Sequence, residues 1–160
     1  MPETILWFLP LLVPIAIWVS WSDMKFMKIP NKAVLTTAAV YLVAGLLVLP
    51  LQAWLWGWAL LVIVLIVGYL ANMLSLIGAG DAKFAAVMAP FFVGADIGLV
   101  MALFAACLLG AFTSHRLARS IGAIRRMTPD WLSWTSRDFP MGLALSGLLI
   151  FYPLVAAWLG

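Results

Sequence analysis

Long apolar runs separated by short polar segments make up most of the chain. Most of these runs approach the length that an α-helix needs to cross about 30 Å of hydrocarbon. The pattern predicts an all-α, polytopic membrane protein with about six transmembrane helices. The predicted spans are Thr4 to Ser22, Ala33 to Leu49, Ala53 to Ile77, Ala82 to Gly94, Ile97 to Ser114 and Phe139 to Leu159.

Composition supports the membrane assignment and limits the chemistry. Apolar residues make up 66% of the chain and charged residues only 9%, with a mean hydropathy of +1.15, outside the range of soluble domains. We expect residues 1–160 to form one integral-membrane domain. With one cysteine, Cys107, and one histidine, the chain offers neither a disulfide framework nor a typical metal site, and we expect no cofactor.

The positions of the basic residues predict the topology. All lysines and arginines lie in residues 25–32, at position 83 and in residues 116–137. Because basic residues collect on the cytoplasmic side, these segments should share that side, with both termini outside. The short run 82–94 could instead re-enter the membrane, but a full crossing is needed to bring all three basic segments to one side. The net charge of +3 therefore indicates topology and not nucleic-acid binding.

Two aspartates occur where predicted spans reach the cytoplasmic side. Asp23 follows the first span, and Asp81 follows the third within Gly78-Ala79-Gly80-Asp81. A carboxylate near hydrocarbon costs roughly 2.5 to 3.5 kcal/mol, which makes it a functional candidate. We expect Gly78 and Gly80 to break the helix and hold Asp81 in a wetted cavity. The alternative is that both aspartates are simply polar residues at the water line.

If the two carboxylates meet, they offer a definite chemistry. Two carboxylates that share a site do not easily both ionise, so one proton is held between them. The ionised member can take a proton from a water molecule that attacks an amide, while the protonated member donates to the developing oxyanion. Such a pair hydrolyses peptides with neither a nucleophilic side chain nor a metal.

Neighbouring polar and aromatic residues have mainly structural interpretations. Pro30 should end the turn after the first span, with Asn31 capping the second helix. Lys83 could lower the pKa of a neighbouring carboxylate or extend to the lipid headgroups.

Two further surface segments are predicted. The predicted interfacial anchors are Trp54, Trp56 and Trp58. The spacing of Leu117, Ile121 and Ile124 predicts an amphipathic helix on the inner membrane surface, with Trp131 and Trp134 at the headgroups.

Four sequence elements occur in an order that resembles the type IV prepilin peptidases. They are Asp23, then Ile29-Pro30-Asn31, then Gly78-Ala79-Gly80-Asp81-Ala82-Lys83, and finally Phe139-Pro140-Met141-Gly142-Leu143-Ala144. The chain looks most like the small, peptidase-only members that serve tight-adherence (Flp) pilus systems. The resemblance implies an aspartic endopeptidase of the bacterial inner membrane that cleaves the short basic leader of prepilin-like proteins after a glycine, on the cytoplasmic side.

The resemblance also implies the site and the partners. Asp23 and Asp81 match the catalytic aspartates of the family, and Gly78, Gly80, Lys83, Pro30 and Asn31 match positions around the site. Prepilins or pseudopilins would be substrates, and the pilus assembly machinery a possible partner. N-methyltransferase activity is not expected, because the Cys-rich domain of the bifunctional members has no counterpart here. The alternatives are a presenilin-like intramembrane protease and a small proton-coupled transporter or channel subunit.

Overall fold

The computed structural model describes residues 5–159, and within them all regular structure is helical. Two short 3-10 helices, Ala89–Phe92 and Leu132–Trp134, supplement the α-helices. The α-helices are α1 Leu9–Phe26, α2 Asn31–Val48, α3 Leu51–Met73, α4 Ala79–Met88, α5 Ile97–Ser120, α6 Gly122–Met127 and α7 Met141–Leu159. The all-α prediction is therefore confirmed.

Four helices, α2, α3, α5 and α7, are long and apolar enough to cross a membrane. The first predicted span corresponds to α1, whose 18 residues end with Asp23 and Lys25 in the last turns. The fourth predicted span is shorter than the others, because α4 has 10 residues and continues into only four residues of 3-10 helix. Together they measure about 23 Å. The count of six spans stays a prediction.

The short helix α4 lies inside the bundle. Its side chains Ala82, Phe84, Ala86, Val87 and Met88 are all buried. Helices α2, α3 and α7 pack against it, and α7 also packs against α1 and α5. Because α4 is enclosed by longer helices, the position of its N-terminal turn is fixed by the surrounding bundle.

The connection between α2 and α3 is held by Tyr41, which is fully buried. Its hydroxyl donates to the carbonyl oxygens of Ala53 and Trp54, at 3.3 and 3.2 Å. Trp54 and Trp58 pack against one another, and Trp58 also packs edge-on against Tyr41. Trp56, in contrast, is 59% exposed. Trp54 and Trp58 are therefore half-buried against Tyr41, and the interpretation of the three tryptophans as interfacial anchors stays a prediction.

The basic segment after residue 114 does not form one amphipathic helix. Helix α5 continues to Ser120, and α6 begins at Gly122 after Ile121 adopts an extended conformation. Leu117 and Ile121 are 60% and 48% exposed and do not form a common buried face. The predicted single helix is wrong because the chain bends at Ile121, next to a glycine of low helix propensity.

Candidate active site

Asp23 lies in the last turn of α1 and is only 5% exposed. Its Oδ2 accepts a hydrogen bond of 2.7 Å from the backbone N–H of Gly142. Gly142 is the second residue of α7, so its N–H is one of the amides at a helix N-terminus that have no partner within their own helix. The positive end of the α7 dipole therefore faces the Asp23 carboxylate.

The turn after α1 leads from Asp23 to Ile29, which lies against the start of α4. Met27 adopts a left-handed conformation, with φ of 52°, and its N–H donates to the Asp23 carbonyl oxygen. The Ser22 hydroxyl donates to the Lys28 carbonyl oxygen at 2.9 Å and closes the turn. These bonds fix the segment that leads to Ile29, which is buried.

Pro30 has the structural role that was predicted for it, whereas Asn31 does not. Pro30, with an extended backbone, immediately precedes α2, so it does end the turn. Asn31 is the first residue of α2 and is exposed, and no side chain caps this helix. The prediction that Asn31 caps α2 is wrong, because the helix begins one residue earlier than a cap at Asn31 requires.

Asp81 lies in the first turn of α4 and is partly exposed. The loop before α4 is held by Asn72, whose side-chain amide donates to the Ile77 carbonyl oxygen at 2.8 Å. Gly78 precedes α4 with an ordinary φ of −68°, so the expected unusual backbone is absent there. The glycine is needed for space instead, because a Cβ at position 78 would lie 2.6 Å from Asp81 Oδ2.

Gly80 brings the two aspartate-bearing segments together. A Cβ at position 80 would lie 3.5 Å from the Ile29 Cβ and 3.6 Å from the Ile29 backbone nitrogen. The first turn of α4 thus packs directly against the turn that follows Asp23. Lys83 is exposed, and its charge does not contribute to the pKa of Asp81. Extension towards the headgroups remains the interpretation of Lys83.

The two carboxyl groups interact through their charges. Burial and then the Asp23 charge raise the pKa of Asp81 to about 6, while the Gly78 backbone amide acts in the opposite direction. Burial also raises the pKa of Asp23, opposed by the hydrogen bond from Gly142. Both groups lie outside the four helices that are long and apolar enough to cross a membrane. The structure therefore brings Asp23 and Asp81 into one site that retains a proton more readily than isolated carboxyl groups do.

The segment before α7 is fixed by an aromatic stack that sequence analysis did not identify. His115, 4% exposed, stacks on the Trp134 ring with centroids 5.3 Å apart, and Phe139 meets the histidine edge-on at 5.9 Å. The Trp134 indole N–H donates to the Thr128 carbonyl oxygen at 2.9 Å. Trp134 is therefore buried within the protein, and the stack directs residues 128–140 towards the start of α7. The position of Trp134 at the level of the headgroups stays a prediction.

Gly142 is the site residue whose contact with Asp23 the sequence did not indicate. A Cβ at position 142 would lie 2.9 to 3.1 Å from three atoms of the Asp23 side chain. The only signal was its place in the sequence element Phe139-Pro140-Met141-Gly142, which resembles a segment of the family. Within residues 5–159, no three His, Cys, Asp or Glu side chains are grouped as metal ligands would be.

The sequence profile of the type IV leader peptidase family matches residues 10–114. The chain belongs to this family, and it is accordingly a membrane-embedded peptidase. The matched region contains Asp23 and Asp81 and ends before Gly142. No curated protein and no solved structure shows significant similarity to the chain.

Proposed function

We propose that the protein is an aspartic endopeptidase that removes the leader peptide of type IV prepilins or pseudopilins of the Flp type. Asp23 and Asp81 are its catalytic residues, and cleavage follows a glycine on the cytoplasmic side of the inner membrane. The observation that carries this proposal is that the turn after Asp23 packs at Ile29 against Gly80, beside Asp81, so that two buried or half-buried carboxyl groups come from neighbouring segments of separate helices. Membership of a leader peptidase family supports the substrate class.

The proposed mechanism divides the work between the two carboxyl groups. A water molecule between them loses a proton to the ionised carboxylate as its oxygen attacks the carbonyl carbon of the scissile peptide bond. The protonated partner donates to the carbonyl oxygen as negative charge develops there. Collapse of the tetrahedral intermediate breaks the C–N bond, and the amine leaves with a proton from the carboxyl pair.

The surroundings favour Asp23 as the base and Asp81 as the acid. The N–H of Gly142, at the positive end of α7, stabilises negative charge on Asp23. Among residues 5–159, no backbone N–H of another helix donates a hydrogen bond to Asp81, and the Asp23 charge favours the protonated form of Asp81. The pair titrates as a unit, so the assignment describes the dominant arrangement of one shared proton.

The arrangement of basic residues supports a cytoplasmic site. After Asp23, Lys25 lies at the end of α1, Lys28 in the turn and Lys32 at the start of α2, and Lys83 follows Asp81. The 3-10 helix Leu132–Trp134, from the third basic segment, packs against α1. Basic residues therefore follow both aspartates closely along the chain, as expected for the cytoplasmic end of a six-span protein with both termini outside.

The proposal covers cleavage alone, without N-methylation, because two carboxyl groups account for hydrolysis and not for methyl transfer.

The proposed cleavage is tested by expressing the protein in membranes with an Flp-type prepilin and following the loss of the leader by mass spectrometry. Asp23→Asn and Asp81→Asn should each abolish cleavage while the protein stays inserted. Asp130→Asn, at an exposed carboxylate, is the matched control and should cleave normally.

The outcome separates the proposal from its alternatives. Full cleavage by either Asp23→Asn or Asp81→Asn would reject the catalytic pair. Cleavage within the apolar segment of the substrate, instead of after the leader glycine, would indicate a presenilin-like protease. Ion flux in proteoliposomes without any leader processing would indicate a transporter or channel.

A further inference from the structure

The chain leaves α3 through a tight turn that leads to Asp81. Ser75 adopts a left-handed conformation, with φ of 57°, which is uncommon for a residue with a side chain. The backbone N–H groups of Ser75 and Leu76 donate to the carbonyl oxygens of Asn72 and Ala71, at 2.9 and 3.0 Å. Bonds of this kind commonly end an α-helix. They fix the backbone of the turn as far as Leu76.

The next peptide group, between Ile77 and Gly78, is held by a side chain instead. The partly buried Asn72 donates from its side-chain amide to the Ile77 carbonyl oxygen at 2.8 Å. Within residues 5–159, no backbone N–H donates to this oxygen. Because the peptide group lies between α3 and α4, outside both helices, the orientation of its C=O depends on the Asn72 side chain.

The N–H of this peptide group belongs to Gly78 and faces Asp81. Since a peptide group is planar, the direction of its C=O determines the direction of its N–H. Asp81 is the third residue of α4, and its Oδ2 would lie 2.6 Å from a Cβ at position 78. A side-chain oxygen at the third position of a helix commonly accepts from the N–H of the residue before the helix. In agreement, burial and the Asp23 charge raise the pKa of Asp81, and the Gly78 amide opposes them.

We propose that Asn72 is a positioning residue for Asp81, because it orients the peptide group whose N–H points at the Asp81 carboxyl group. This inference rests on the proposed function, in which Asp81 donates a proton to the scissile carbonyl oxygen. When Asp81 gives up that proton, the Gly78 N–H stabilises the carboxylate that remains. Asn72 therefore increases the acidity of the proton donor and keeps its carboxyl group in one orientation.

Other contacts fix the backbone of α4 and do not involve Asn72. A Cβ at Gly68 of α3 would lie 3.0 Å from the Ala82 Cβ, so α3 and α4 touch at this point. A Cβ at Gly80 would lie 3.5 Å from the Ile29 Cβ, in the turn after α1. Loss of the bond from Asn72 should therefore free the peptide group without moving the first turn of α4.

Loss of the Asn72 amide should raise the pKa of Asp81 above its present value of about 6. Burial and the charge of Asp23, which both raise this pKa, would remain, whereas the Gly78 N–H would no longer be directed at the carboxylate. Within residues 5–159, Asp23 is the ionisable group whose charge acts on Asp81, and Lys83 makes no contribution. A general loosening of the loop would have the opposite effect, because it would admit water to Asp81 and lower its pKa.

Asn72→Leu removes the amide and nearly preserves the size of the side chain. With an Flp-type prepilin in proteoliposomes, kcat at the pH optimum should fall about fivefold or more, while KM changes by less than about twofold. The alkaline limb of the kcat/KM profile should move to higher pH by about half a unit or more. Asn72→Ala should have the same effects, because it also lacks the amide.

A stability measurement tests the same contact without cleavage. Asp81→Asn is introduced into the unsubstituted protein and into Asn72→Leu, and the increase in melting temperature is measured in detergent at pH 7.5. The increase should be larger in the Asn72→Leu background, because the higher pKa makes ionised Asp81 more destabilising there. A merely structural role of Asn72 would lower the melting temperatures and leave the increase unchanged, which would overturn the proposal.

Ser120→Ala is the matched control. It removes a side-chain hydrogen bond of 2.7 Å to the Leu117 carbonyl oxygen, at the end of α5. Since this bond orients no peptide group at an aspartate, we expect Ser120→Ala to change neither kcat nor the pH profile.

An unchanged kcat and pH profile in Asn72→Leu would overturn the proposal, as would a shift of the alkaline limb to lower pH. Normal cleavage by Asn72→Leu with impaired cleavage by Asn72→Ala would also overturn it, since only the size of the side chain would then matter. Failure of the proposed function is seen separately, as undiminished cleavage by Asp81→Asn. The positioning role and the catalytic assignment can therefore fail independently.

Discussion

The backbone N–H of Gly142 donates to Oδ2 of Asp23 at 2.7 Å, although 119 residues separate them in the chain. This bond links the last turn of α1 to the first turn of α7. It places a helix N-terminus at a carboxylate that is almost fully buried. The properties of Asp23 therefore depend on α7 as well as on its own helix.

Gly142→Ala should reduce cleavage at least tenfold. The added Cβ would lie within 2.9 to 3.1 Å of Asp23 side-chain atoms, so the carboxylate or α7 must move. Displacement of the base from the water it activates lowers kcat more than substrate affinity. Leader removal by the purified variant measures the effect.

Gly122→Ala is the matched control for this substitution. A Cβ at position 122 would meet only the end of the Arg126 side chain, at an ordinary 3.5 Å. We expect near-normal cleavage by Gly122→Ala. Equal activities of the two variants would contradict the requirement for glycine at position 142.

The cleavage rate should depend on pH through the carboxyl pair. Because the pKa of Asp81 is raised to about 6, the protonated acid is lost as the pH rises through 6. We expect kcat/KM to fall by about tenfold per pH unit well above 6, and to fall again in acid when the pair binds a second proton. A profile measured in proteoliposomes between pH 4.5 and 8.5 checks this; a flat profile from pH 6 to 8 would contradict it.

Asp81→Asn should stabilise the protein at neutral pH. The folded-state pKa of Asp81, about 6, lies above the ordinary value of 3.8 for an aspartate, so folding favours its protonated form. The contribution of protonated Asp81 to the free energy of unfolding is present at low pH and is lost as the pH rises through about 6. The melting temperature in detergent should therefore be higher for Asp81→Asn than for the unsubstituted protein at pH 7.5.

The difference between the two melting temperatures should shrink towards pH 4, where both side chains are neutral. Asp130→Asn, at an exposed position, should show little difference from the unsubstituted protein at either pH. A lower melting temperature for Asp81→Asn at pH 7.5 would indicate that the ionised Asp81 stabilises the fold, contrary to the direction of its pKa shift.

His115→Phe should be tolerated better than His115→Ala. The histidine contributes ring contacts with Trp134 and Phe139, while its Nε2 is buried without a partner in residues 5–159. Phenylalanine retains the ring and removes the unpaired nitrogen, whereas alanine leaves a cavity that costs about 2 to 4 kcal/mol by analogy with other buried rings. Thermal stability and cleavage by the two variants measure the difference.

Equal losses of stability with both His115 variants would show that a specific imidazole contact matters more than packing. In the expected case, His115→Ala also lowers cleavage, because residues 128–140 lead directly to the turn that contains Gly142. His115→Phe should retain most of the activity.

The sequence was sufficient to predict the features that follow from local composition. Apolar runs predicted an all-helical membrane protein, and the placement of Asp23 and Asp81 after inward-directed runs predicted that their carboxyl groups approach one another. The structure confirms the helical class, and it packs the turn after Asp23 against the first turn of α4, which contains Asp81. Their catalytic role stays a prediction.

Features that depend on tertiary contacts could not be predicted from local patterns. The hydrogen bond from Gly142 to Asp23 joins opposite ends of the chain, and no periodicity indicates it. Trp54 and Trp134 are apolar rings in a membrane protein, and only the folded structure shows that they pack against Trp58 and His115. The bend at Ile121 likewise interrupts a pattern that was regular in sequence.

The contact between α1 and the start of α7 has a consequence for biosynthesis. Asp23 leaves the ribosome well before its hydrogen-bond donor, which lies 119 positions later in the chain. A nascent chain arrested before α7 would contain both aspartates and lack the amide that holds the first of them. The carboxyl pair therefore matures only after α7 has entered the membrane.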